Sequence, residues 1–506
     1  MKNRTRSSVL NLAFGTINQT VSMLLNFLSR TIFIQTLGVG YLGINGLFAD
    51  ILMLLSLAEL GLRTSMAYTF YKPLAEEDAL KVALLTQFYR KVYHTIAVFV
   101  TVVGISLVPF LDYLVNLDEA IPYLKVYYLF FLGDIVASYF FVYKTSVIEA
   151  DQKKYLITKY QMYVNVVKIA LQILVLLLTQ NYFLYLTLQI TSTLINNLLI
   201  SKKATQLYPM IKERQRKLAP HERKNIFVNM RSMFIFKMST TLMKGTDNIL
   251  MSVLFGTIWV GIYSNYYLVI TSLENFVSVI YMSITASLGN VIALEKPDKR
   301  LEIFGLTHTV SLMLTTFTTA CLALLLNDFI YVWLGEEFVI STLFLSAAML
   351  NFYLKMVTYP VQSFRQATGL YIQTRYVMLL AAILNLILSV LLAKIIGISG
   401  ILFASALAQL LTYFWYEPRL LFQQYFEEGT SEYFLSIFKN LLTTFFLIAV
   451  LLLILQNFTI DTWVSFFIKA FFVAIISVIF IILTHHQRNE FKQLVKRLKK
   501  LIKKST

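Results

Sequence analysis

Apolar residues run through this chain in long stretches separated by short polar breaks. A helix needs roughly 20 mainly apolar residues to cross a bilayer. Stretches of that kind fall at 9–36, 44–70, 86–111, 122–148, 159–179, 183–204, 227–256, 261–288, 304–327, 340–360, 373–393, 399–417, 435–456 and 462–484. The pattern predicts an all-α polytopic membrane protein with fourteen transmembrane helices. Helix interiors spare backbone donors poorly, and all eight prolines fall in predicted loops or near predicted helix ends. The first stretch follows Lys2, Arg4 and Arg6 as a signal peptide would, but it is too long and lacks a clear small-residue cleavage site. It reads as a retained first helix.

Three pairs of segments recur at a nearly constant offset. Tyr155-Leu-Ile-Thr-Lys-Tyr160 answers to Tyr371-Ile-Gln-Thr-Arg-Tyr376, each leading into a helix. Gly38-Val-Gly-Tyr-Leu-Gly43-Ile44 answers to Gly256-Thr-Ile-Trp-Val-Gly261-Ile262, each a short turn between two helices. Asp118-Glu119 answers to Glu336-Glu337, each in an outer loop. A repeat of six helices, an even number, gives two copies of the same orientation related through an axis along the membrane normal. The expected architecture is two pseudo-symmetric six-helix lobes around a central cavity, with two extra C-terminal helices. Its parts would be an N-lobe over 1–204, a basic linker over 205–226, a C-lobe over 227–423, the extra pair over 424–484, and a tail over 485–506.

Charge sets the orientation. Basic loops stay on the cytoplasmic side, and nearly every loop Lys or Arg shares the side of the N-terminus, the opposite loops holding only Lys394. Those opposite loops carry Asp112, Asp118, Glu119, Asp328, Glu336, Glu337 and Asp461 instead. Both termini are therefore expected in the cytoplasm, in a bacterial plasma membrane. The net charge of +17 is accounted for by topology determinants facing anionic lipid, so it implies no nucleic acid. From His485 onward, Phe491, Leu494, Val495, Leu498, Leu501 and Ile502 alternate with basic residues, the pattern of an amphipathic helix lying on the inner surface. The composition is 58% apolar and 14% charged, which leaves no room for a soluble domain, and the single Cys321 excludes an intramolecular disulfide.

A charge at the bilayer centre costs about 2.5 to 3.5 kcal/mol on insertion scales, so charges inside the spans are informative. In the first span Asn11, Gly15, Asn18, Ser22, Asn26 and Arg30 recur every three or four residues and form one polar stripe. In the seventh, Lys237, Thr241, Lys244 and Asn248 form a similar stripe, with Asp247 beside it. Glu59 and Arg63 stand one turn apart in the second span and suit an ion pair. Asp134 and Lys144 lie in the fourth, Lys168 in the fifth and Glu274 in the eighth. Arg30 and Lys168 have no acid on their own helix, which favours a ligand-binding reading over a structural one. Lys355, His308 and Lys469 fall toward predicted span ends, where snorkelling explains a cation. Cations in a wet cavity suit phosphate, and Asn18, Asn26 and Thr241 suit sugar hydroxyls. No HExxH, GxSxG or Walker lysine loop is present, so no enzyme is expected.

Several motifs resemble the Wzx-type polysaccharide flippases of the multidrug, oligosaccharidyl-lipid and polysaccharide exporter (MOP) superfamily. They are Leu37-Gly-Val-Gly-Tyr-Leu-Gly-Ile-Asn-Gly-Leu47 with Leu57-Ala-Glu-Leu-Gly61, Thr246-Asp-Asn-Ile-Leu250 with Gly261-Ile-Tyr-Ser-Asn-Tyr266, and Trp333-Leu-Gly-Glu-Glu337. The resemblance covers essentially the whole chain. It implies alternating access that carries a polyprenyl-diphosphate-linked oligosaccharide from the inner to the outer leaflet, for capsule or exopolysaccharide assembly. It places Arg30 among the cavity arginines. Asp134, Asp247 and Glu274 become candidates for coupling to H+ or Na+, with no other cofactor expected. Partners would be the lipid-linked saccharide, anionic lipids and polysaccharide polymerase or assembly proteins. A flippase for teichoic-acid or peptidoglycan precursors would share these features. A multidrug antiporter would be expected to have twelve helices and buried acids, and a membrane scaffold would tolerate neutralised stripes.

Overall fold

The computed structural model describes residues 2–59, 62–117, 121–212, 218 and 220–496. Among them the regular structure is helical, without strands, and each of the fourteen apolar stretches falls on helix. The chain divides into two compact units, Met1–Ser264 and Asn265–Thr506.

The first unit holds α1 (Lys2–Leu37), α2 (Val39–Leu55), α3 (Leu62–Ala75), α4 (Ala79–Ser106), α5 (Leu111–Leu114), α6 (Leu124–Tyr139), α7 (Val142–Ala150), α8 (Lys154–Thr179), α9 (Tyr182–Leu207) and α10 (Pro220–Phe255). It also takes in the opening turns of α11 (Thr257–Leu294). Polar contacts at the α10–α11 joint explain why. Thr257 donates its amide to the Asn116 carbonyl at 2.6 Å, and its hydroxyl accepts from the Asn116 amide at 2.9 Å. Ser252 donates to the Leu114 carbonyl at 2.6 Å. Val39–Leu55 meets Thr257 and Gly261 at glycines: an added Cβ on Gly261 would stand 2.6 Å from the Val39 carbonyl oxygen, and one on Gly43 would strike the Thr257 carbonyl. The core of this unit is aromatic and aliphatic, centred on Phe48, Tyr89, Tyr93, Tyr128 and Tyr139.

The second unit continues α11 and adds α12 (Pro297–Leu334), α13 (Thr342–Thr368), α14 (Tyr371–Ile396), α15 (Ser399–Leu411), α16 (Tyr413–Leu421), α17 (Ser431–Leu455) and α18 (Trp463–His485). The C-terminal pair is held by polar contacts as well as packing. Asn440 of α17 donates to Thr316 of α12 at 2.8 Å and accepts from Tyr353 of α13 at 3.0 Å. Lys469 of α18 pairs with Asp328 of α12 at 2.6 Å. Phe304, Phe364, Phe422, Phe426 and Tyr433 make an aromatic core at one end of the unit.

Seven described helices are long and apolar enough to cross a bilayer alone, and α6–α7, bent by 47°, makes an eighth. Several helices outrun the spans expected from the sequence. α11 and α12 are 38 residues each, about 57 Å at 1.5 Å per residue, against roughly 30 Å of hydrocarbon. The expected loop 289–303 is thus largely helix, as are 205–207 and 220–226 at the ends of the expected linker, with Pro220 and Pro297 opening α10 and α12, where a missing N–H costs nothing. The expected second span, 44–70, is interrupted by a 3-10 turn at Ser56–Glu59. Pro73 and Pro418 lie in the last turns of α3 and α16, near helix ends as expected, whereas Pro360 lies inside α13, two turns before its end. Neighbouring helices and local hydrogen bonds make such a position tolerable in a packed membrane bundle. The amphipathic tail helix begins at 489 after a turn, and through 496 its Phe491, Leu494 and Val495 are more sheltered than Lys492 and Lys496. Residues 497–506 lie outside the described residues.

The backbone carries a trace of duplication. Gly38 and Gly256, each opening the second helix of a copy, have φ of 85° and 105°. Gln152 and Gly369, before α8 and α14, have φ of 60° and 73°; Gln180 and Gly397, after those helices, share a positive φ of 50° and 64° but differ in ψ, 26° against −150°. Each pair is 217 or 218 residues apart, the spacing of the sequence repeat.

Candidate functional site

The α1 stripe is only partly covered by protein. Asn18, Ser22 and Arg30 are half-buried and Asn26 is exposed; α1 packs along α8, from which Asn165 donates to Ser22 Oγ at 3.4 Å. Arg30, two turns from the end of α1, donates through Nη1 to Ser264 Oγ at 2.7 Å, and Tyr185 of α9 lies within electrostatic range. Its described partners are hydroxyls, not a carboxylate. A guanidinium presents five N–H donors in a rigid fork, so most of its capacity is left for an anion.

Lys168 of α8 lies at a groove of about 240 Å³ between α8 and α9, walled by Tyr163, Val167, Leu171, Leu188 and Ile195. Its acidic neighbour comes from another helix: Asp134 of α6 is near enough to act on its charge, and Asp134 also accepts from Gln189 at 3.2 Å. Lys168 and Asp134, expected separately, are brought together.

On α10, Thr241 is buried and Asn248 donates to Asp50 Oδ2 of α2 at 2.5 Å. Asp247 is half-buried beside it. The side chains of Lys237, Lys244, Arg63 and Asn11 lie outside the described residues, as do Asp118 and Glu119 entirely. Glu59 sits at the end of the 3-10 turn beside the buried Tyr139 of α6. Arg63 lies in the first turn of α3, and residues 60 and 61 between the two lie outside the described residues.

Within the second unit, Glu274 of α11 is buried and pairs with Lys355. Lys355 falls mid-way along α13, not near a span end, because that helix runs on to Thr368. His308, also fully enclosed, shares a 2.7 Å hydrogen bond with Ser436. Arg365 and Glu417 form a buried ion pair that the sequence reading missed, since ending the tenth span at Pro360 had left Arg365 in a loop. Asp50 was missed too, although a lone acid in the apolar run Leu47-Phe-Ala-Asp-Ile-Leu52 was a visible signal.

No protein-family model and no curated protein matches the sequence. Solved structures match it in fold. One is a lipid II flippase, MurJ, in an inward closed conformation, at 14% identity, 93% of this chain, 98% of that one and a TM-score of 0.66. Another is the MATE multidrug transporter DinF-BH in complex with R6G, at 17% identity, 85% and 97% coverage and a TM-score of 0.62. A third is a MOP superfamily transporter from Pyrococcus furiosus, described as having a binding pocket of reverse polarity, at 14% identity, 81% and 93% coverage and a TM-score of 0.54. The chain is a multi-pass, all-α membrane protein with the fold of MOP superfamily transporters, as its motifs led one to expect.

Proposed function

We propose that this chain is a flippase that moves a lipid-linked, diphosphate-bearing oligosaccharide from the inner to the outer leaflet by alternating access between two lobes. Transport, not catalysis, is the task this reading assigns, in a bacterial plasma membrane with both termini in the cytoplasm. A diphosphate cannot enter hydrocarbon unless its charge is matched and its water replaced. The observation that carries the reading is Arg30, a half-buried guanidinium whose described partners are hydroxyls. Arg pairs with phosphate oxygens two at a time, which a lysine cannot reproduce. Asn18, Ser22 and Asn26 along the same stripe supply groups for sugar hydroxyls. A second reading, a peptidoglycan lipid precursor as cargo, is favoured by the likeness to a lipid II flippase over 93% of the chain.

The test is reconstitution into liposomes with a fluorescent polyprenyl-diphosphate saccharide, scoring its appearance on the opposite leaflet. Arg30→Ala is expected to fall to the protein-free rate and Arg30→Lys to retain a fraction, with both proteins inserted at wild-type levels. Wild-type rates in Arg30→Ala would overturn the role of Arg30. Running a repeat-unit oligosaccharide and a peptidoglycan precursor in parallel decides between the two cargoes.

A further inference from the structure

Three cations converge at the end of the first unit that carries the basic loops. Lys144 of α7 is half-buried and donates to Ser201 Oγ at 2.8 Å and Thr205 Oγ1 at 3.4 Å, both on α9. Arg90 of α4 and Lys212, in the turn Pro209–Lys212, are both close enough to press on the Lys144 charge. Arg90 also acts on His94 and Tyr143. Among the described residues no carboxylate pairs with any of the three cations. Asp151, just past the end of α7, accepts from Tyr208 and pairs with Lys153 at 2.7 Å.

Like charges gathered this way repel one another unless an anion sits among them. The hydroxyls of Ser201 and Thr205 orient the ammonium of Lys144, which has a third N–H to give, and Arg90, on the exposed face of α4, brings a five-donor fork beside it. One or two turns toward the middle of the helices, the surface becomes apolar: Phe140 is 44% exposed against His94, Val98 64% and Leu198 53%. Cations next to exposed apolar side chains match the two parts of a membrane lipid, its phosphate and its chains.

We propose that Arg90, Lys144 and Lys212, with the hydroxyls of Ser201 and Thr205, form a binding site for the phosphate of an anionic inner-leaflet phospholipid. The site lies on α4, α7 and α9, apart from Arg30, and stands whether or not the transport reading does. Its inner-leaflet placement rests on the orientation given by the loop charges.

The test is native mass spectrometry of the full chain released from detergent, titrated with phosphatidylglycerol or phosphatidylcholine. Wild-type protein is expected to retain phosphatidylglycerol preferentially. Arg90→Gln and Lys144→Met should each lower that affinity by about fivefold, the worth of one cation near an anionic surface, while Lys144→Arg keeps most of it. Arg90 is exposed, so its replacement leaves packing intact and reports on binding even if Lys144→Met folds poorly. Equal affinity in wild type and Arg90→Gln, or no headgroup preference, would overturn the site. Displacement of the lipid by equimolar inorganic phosphate would overturn the lipid as its ligand.

Discussion

Arg365 and Glu417 are nearly enclosed by the second unit, with Tyr413 and Tyr433 close by. Two charges removed from water repay much of their desolvation through each other, so losing one partner leaves the other buried and uncompensated. Arg365→Met alone should cost about 3 to 5 kcal/mol, read as an early thermal midpoint in detergent. The double change Arg365→Met with Glu417→Leu should recover most of that loss; a double variant as unstable as the single one would show that the pair is held by more than mutual neutralisation. Residues of this kind explain what the sequence conceals. A charge inside an apolar run is easy to see, as Arg30, Lys168 and Glu274 were. Its partner is not, because Asp134 and Lys355 arrive from helices distant in sequence.

Helices themselves were legible, since a run of about 20 apolar residues has few other fates. Their breaks were not: the interruptions at Ser56–Glu59 and between α6 and α7 carry no proline and depend on what packs around them. Glycines mark the tightest approaches between helices. Gly43 and Gly261 allow α2 and the start of α11 to touch backbone to backbone, the way small residues do in membrane bundles generally. Gly43→Leu should therefore force these helices apart and reduce the folded yield several-fold by gel filtration. Gly15→Leu, where an added Cβ meets nothing within 4 Å, should be tolerated, and equal damage from both would refute the contact as the cause.

For the molecule as a whole, the asymmetry of loop charge predicts which face is inside. Cys321 is the single cysteine, so a Cys321→Ser background admits reporter cysteines one at a time. Asp461→Cys should react with a membrane-impermeant maleimide on intact cells, and Glu490→Cys only after permeabilisation; the reverse pattern would invert the topology. The compact units part at Ser264. Hydrogen bonds from Thr257 and Ser252 to the 114–116 segment draw the opening of the second copy into the first unit, and a linear reading of composition has no access to such bonds.

The positive φ at Gln152 and at the left-handed joint Gln180 stands on residues with side chains, where it costs free energy. Gly369, the counterpart of Gln152, adopts a left-handed torsion freely. A glutamine held in so awkward a posture is kept there by the helices on either side, not by its own preference. A fold is then written in dihedral angles more than in letters, which is how this chain can share one with a flippase over 93% of its length at only 14% identity.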